Sequence, residues 1–94
     1  NLTGTFLTLR EGARAMARAG TGGSLLVIGS STAVRTMPGV TPYAASKAAA
    51  HMMVKNLALE LGPRGIRVNG IAPGMTETPR NVARPDGGKL CRVY

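Results

Sequence analysis

An α/β fold, one partial slice of a doubly wound parallel sheet, is what this sequence predicts, in the order helix, strand, helix, strand. Residues 2–18 repeat apolar side chains at steps of four and three, and two short runs, 24–29 and 66–72, read as strands. Between them an alanine-rich stretch carries no helix breaker from Tyr43 to Leu61. Two successive strands joined by a helix imply a right-handed parallel crossover.

The first helix is set by Leu2, Phe6, Leu9, Ala13 and Met16, which share one face at the helical period. Gly20-Thr21-Gly22-Gly23 ends it, because glycine accepts the left-handed backbone of a C-terminal cap. The spacing is not G-x-G-x-x-G and no strand precedes it, so it does not read as a phosphate loop. Ser24-Leu25-Leu26-Val27-Ile28-Gly29 is an apolar run between turn signals, expected to form a buried parallel strand. The loop that follows contains the turn dipeptide Pro38-Gly39. Thr41 suits an N-cap and Pro42 the first helical position, so the second helix should begin immediately before Tyr43. It should run to Gly62-Pro63, where proline cannot continue it. Ala44, Ala45, Ala48, Ala49 and Ala50 keep its surface smooth enough for a strand layer or a second helix to approach closely. Ile66, Val68, Gly70 and Ala72 alternate with Arg67, Asn69 and Ile71 in the second strand, which Pro73-Gly74 breaks.

Ninety-four residues leave room for one core, below the usual size of an α/β enzyme domain, and a chain starting on Asn1 reads as a fragment. Apolar residues make up 44% of it, which argues against disorder. Cys91 is the single cysteine and no metal-ligand pattern is present, so a reducing, cytoplasmic setting is expected. No apolar run approaches the ~18 residues of a membrane span. Twelve Lys and Arg against four acids give a net charge of +8, a balance that suits nucleic acid. The cations are scattered, however, and one Phe with two Tyr offers little for base stacking, so no nucleic-acid partner is expected. Arg10, Arg14 and Arg18 line one helical face and read as a solvated or subunit-facing stripe.

The chemistry concentrates between Ser30 and Lys47. Ser30 follows the first strand, at the carboxyl end where open α/β sheets bind ligands. Tyr43 and Lys47 are four residues apart, hence on one face of the helix that holds both. A cation beside a phenol favours the phenolate, and a phenol so placed can exchange a proton with a carbonyl or alcohol oxygen. Alone, Tyr-x-x-x-Lys also occurs as plain helix-surface packing. Together with its neighbours the stretch resembles the catalytic half of a short-chain dehydrogenase/reductase, in the 3-oxoacyl-carrier-protein-reductase-like group. The resemblance covers residues 1–79. It rests on Y-A-A-S-K at 43–47, a serine thirteen residues before Tyr43, G-I-R-V-N-G-I-A-P-G at 65–74 and N-L-T-G-T-F at the start.

That resemblance implies a Rossmann-like fold and hydride transfer between NAD or NADP and a small-molecule carbonyl or alcohol substrate. It implies that Tyr43 is the acid/base, that Lys47 favours the phenolate and holds ribose hydroxyls, and that Ser30 hydrogen-bonds the substrate oxygen. Asn1 matches the asparagine linked through water to the lysine, with a plain helix N-cap as the rival reading. Pro73, Gly74, Thr76 and Thr78 fall on the segment that lies along the nicotinamide and pyrophosphate; Thr76 stands where an aliphatic residue is usual. Ser30 is preferred to Ser31 on its interval to Tyr43. His51 reads as a helix-surface or interface histidine, and Met52 and Met53 as packing residues. The adenine-binding half is absent from these residues, so the 94 residues alone are expected to be inactive. Residues 80–94 lack periodicity and read as an irregular tail behind the catalytic half, 1–79. The family type also implies a homo-oligomer of the full-length protein through residues 2–18 and 43–61. A rival reading is a non-enzymatic basic helical module that binds an acidic partner or nucleic acid through Arg10, Arg14 and Arg18.

Overall fold

The computed structural model describes residues 1–83 and 85. In chain order they form α1 (Leu2–Ala19), β1 (Gly23–Ile28), α2 (Thr41–Leu61), β2 (Ile66–Ile71) and a one-turn α3 (Pro79–Val82). Short 3₁₀ turns occupy Ser31–Ala33 and Gly62–Arg64. β1 and β2 pair in parallel, from Gly23 opposite Ile66 to Ile28 opposite Ile71, with α2 as the crossover.

Gly20 closes α1 in the left-handed conformation (φ 69°), and its N–H donates to Met16 O at 3.0 Å. Of the five residues expected to be the apolar stripe, Leu9 and Ala13 are buried and Met16 is half-buried, whereas Leu2 and Phe6 remain 41% and 48% exposed. Phe6 stands in the wall of an open groove between α1 and α2, and Leu2 at the first residue of α1.

Both long helices lie over the same sheet face. Leu9 of α1, Val27 of β1 and Ala50 of α2 form the buried cluster, with Leu25, Val54 and Leu57 packed against it. Ile66 and Val68 of β2 point the same way and are buried. Strand periodicity sends Leu26, Ile28 and Ile71 to the other face, where they are 57%, 56% and 48% exposed. The expectation of a buried first strand is therefore corrected: β1 is buried on one face, because no described helix covers the other.

The start of α2 also differs from its expected place. Its N-cap is Val40, whose carbonyl accepts from the Ala44 N–H at 2.8 Å, so Thr41 already lies inside the first turn and supplies no side-chain cap. At the far end the Gly62 N–H donates to Ala58 O, the 3₁₀ turn carries Pro63, and Gly65 (φ 70°) turns the chain into β2. Residues 79–82 form α3, so the stretch expected to be irregular from residue 80 opens in a helical turn. Most of that stretch, Cys91 included, lies outside the described residues. Among the described residues no helix is long and apolar enough to cross a membrane.

Candidate active site

Strand pairing continues past both strand ends. The Gly29 N–H donates to Ile71 O at 2.7 Å and the Ser31 N–H to Pro73 O at 2.9 Å, which sets Ser30 beside the Pro73-Gly74 break. Ser30 is buried, in extended backbone, and caps the 3₁₀ turn: its Oγ accepts from the Thr32 N–H at 3.2 Å and from the Thr32 hydroxyl at 2.9 Å. A hydroxyl whose lone pairs are so engaged keeps its own proton to donate.

Tyr43 stands in the first turn of α2, 42% exposed. One turn on, Lys47 reaches the end of β1: its Nζ donates to Ile28 O at 2.9 Å and lies 5.8 Å from the centroid of the Tyr43 ring. A single helix face thus ties the tyrosine to the strand end that leads into Ser30. The next turn of that face carries His51, which is half-buried. Its Nε2 is buried without a hydrogen-bond partner, and its ring packs so closely on Gly29 that a Cβ there would collide with it. Met53 is half-buried, whereas Met52 is 54% exposed.

A cleft of about 680 Å³ opens above these residues, lined by Ser30, Thr32, Tyr43 and Gly74 together with Arg35, Met37, Met75, Arg80 and Asn81. Ser30, Tyr43 and Gly74 are thereby brought together, Lys47 is bonded to the same strand end, and Pro73 anchors Ser31. Thr76 and Thr78 flank the cleft and are bound by Asn81, whose N–H donates to Thr78 Oγ1 at 3.2 Å and whose Nδ2 donates to Thr76 O at 2.8 Å. Asn1 is not among the lining residues. It takes the N-cap position of α1 without a side-chain cap, and its carbonyl accepts from Thr5. Sequence reasoning passed over Arg35, Met75, Arg80 and Asn81: the first two lie in loops, which carry no periodicity, and the other two in a one-turn helix too short to show any.

Elsewhere, Arg10, Arg14 and Arg18 line a groove between α1 and α2 with Phe6, Leu57 and Glu60. Two of the three are engaged by Glu11, at 2.8 Å from Arg10 and 3.1 Å from Arg14. Among the described residues no group of three or more His, Cys, Asp or Glu could hold a metal ion.

Known proteins place this arrangement. The short chain dehydrogenase family profile matches residues 1–87. An uncharacterised NAD-dependent oxidoreductase of Mycobacterium tuberculosis is 51% identical over 79 residues, covering 84% of this chain and 29% of that protein. A 3-alpha-(or 20-beta)-hydroxysteroid dehydrogenase of the same species is 44% identical over 79 residues, covering 84% of this chain and 30% of its own length. Among solved structures, a gluconate 5-dehydrogenase from Burkholderia cenocepacia in complex with NADP and tartrate superposes with a TM-score of 0.84 at 29% identity, covering 99% of this chain and 44% of that one. The chain thus spans less than a third of the length of these curated relatives. None of these likenesses supports a non-enzymatic basic module. With the family profile matched over nearly its whole length and the tyrosine, lysine and serine gathered at one strand end, the chain belongs to the short-chain dehydrogenase family.

Proposed function

We propose that the complete protein is an oxidoreductase that moves a hydride between NAD or NADP and a small carbonyl or alcohol substrate, with Tyr43 as the acid/base. The observation that carries this reading is the join of Lys47 to both the β1 carbonyl end and the Tyr43 ring, beneath a cleft shared by Tyr43 and Ser30. In the reducing direction Tyr43 gives its proton to the carbonyl oxygen as negative charge grows there. The Ser30 hydroxyl donates to the same oxygen, and the Lys47 ammonium stabilises the negative charge left on the phenol.

The residues present fit the nicotinamide-ribose half of such a cofactor. Lys47 spends one of its three donors on Ile28 O, which leaves two for a ribose diol. Gly74 offers bare backbone in the cleft wall, and Pro73, Thr76 and Thr78 continue that edge. Tyr43 completes the set. When bound, the nicotinamide supplies or accepts the hydride. Residues for the adenine half are not among these 94, and neither is a residue that would choose NAD over NADP. Asn1 is assigned a water-linked role toward Lys47 on the family pattern alone. We place the protein in the cytoplasm on its lone Cys91. The exposed Leu2 and Phe6 on α1 support a homo-oligomer.

The test is Tyr43→Phe in the complete protein. Turnover should fall by about 10²–10⁴-fold while dinucleotide binding persists, measured as nicotinamide absorbance change and by cofactor titration. Undiminished turnover would show that another group moves the proton.

A further inference from the structure

The segment 73–78, the proposed nicotinamide edge, is fixed to the sheet at its first residue, where Pro73 O accepts from the Ser31 N–H at 2.9 Å. Beyond it β2 has ended, and residues 74–78 form neither helix nor strand before α3 begins. Backbone outside a helix or sheet ladder takes its shape from other hydrogen bonds or opens easily. Asn81 supplies part of that shape. Its Nδ2 donates to Thr76 O at 2.8 Å and its N–H to Thr78 Oγ1 at 3.2 Å.

These two bonds differ in kind. The second is the ordinary cap of α3, from its third residue to the hydroxyl of Thr78, and a backbone N–H makes it whatever side chain stands at 81. The first needs the side-chain amide, which reaches back five residues to a carbonyl outside the helical turn, and the turn itself does not call for it. Asn81 is half-buried and lines the cleft with Gly74, Tyr43 and Ser30, so the tie is made in the wall of the candidate site. Resting on the reading of this segment as the cofactor edge, we infer that Asn81 is a positioning residue, whose side-chain amide holds the backbone of residues 74–78 in the shape that receives the nicotinamide ring. It acts through Thr76 and Thr78 and not on the reacting atoms.

The test titrates the complete protein with two probes: whichever of NAD and NADP it binds, and the matching ADP-ribose, which lacks only the nicotinamide ring. Asn81→Ala should weaken dinucleotide binding about three- to tenfold, the worth of one hydrogen bond, and leave ADP-ribose binding within about twofold. Asn81→Gln, which keeps an amide donor on a longer stem, should recover part of the loss. ADP-ribose binding also reports whether each variant is folded. Equal weakening of both probes by Asn81→Ala would make the residue merely structural and overturn the inference, as would an unchanged affinity for the dinucleotide. Because these are binding measurements, a loss confined to the dinucleotide in a protein that never transfers a hydride supports the positioning role and refutes the oxidoreductase reading. An unaltered protein that binds neither probe overturns both.

Discussion

The two faces of the β1–β2 sheet are built from the same strands and fare differently. On one, Val27, Ile66 and Val68 are sealed beneath Leu9 and Ala50; on the other, Leu26, Ile28 and Ile71 stand about half in solvent. The candidate site belongs to the sealed side. Lys47 and His51 descend from α2 onto the ends of the strands, and the loop that holds Ser30 is pinned to Pro73 by backbone pairing. Local geometry at the strand ends therefore needs one layer of helix, whereas a complete doubly wound sheet needs two. We propose that further chain of the complete protein covers the open face, in keeping with a match to less than a third of its relatives' length.

The largest effect should separate the two faces. Ile66→Ala empties a site that is 1% exposed and should cost about 2–5 kcal/mol in urea unfolding of the complete protein. Leu26→Ala should cost a comparable amount there if a second layer covers it. A loss below about 1 kcal/mol, normal for a surface position, would leave that face bare and refute the proposed cover.

A smaller effect probes the sealed side at its junction with the site. A methyl at Gly29 meets the half-buried His51 ring, and overpacking of this kind costs about 1–3 kcal/mol. Gly29→Ala should therefore destabilise, and His51→Ala in the same chain should return part of the loss, since the two residues share one contact. Strictly additive costs would show that the glycine is needed for another reason.

How much of this was legible in the sequence depended on which residues sit on regular elements. Tyr43 and Lys47 were readable because helical spacing alone puts them on one face, and Ser30 because an apolar run ending in glycine marks where a strand stops. His51 shares the face of Lys47, so its contact with the strand end was available to the same argument, which took it no further than a helix-surface or interface residue. The open sheet face was not legible, since an apolar strand looks the same whether one layer or two will cover it. Arg35 and Arg80 were invisible for a different reason. One is in a loop and the other 45 positions later in α3, and no periodicity relates such segments until strand pairing draws their roots together.

The smallest effect lies outside both faces, on the solvent side of α1. Arg10, hydrogen-bonded at 2.8 Å, and Arg14 beside it hold the Glu11 carboxyl below its ordinary value of 4.5. A carboxyl whose pKa is lower folded than unfolded stabilises the fold above the unfolded value and loses that contribution as pH falls through the folded one. Full exposure keeps the effect slight and open to screening. The urea midpoint of Glu11→Gln should lie just below that of the unaltered protein at about pH 6, and the two should converge by about pH 3 and in about 1 M salt. A difference that survives both conditions would point to packing by the glutamate stem against α1, and the charge pair would then have no part in it.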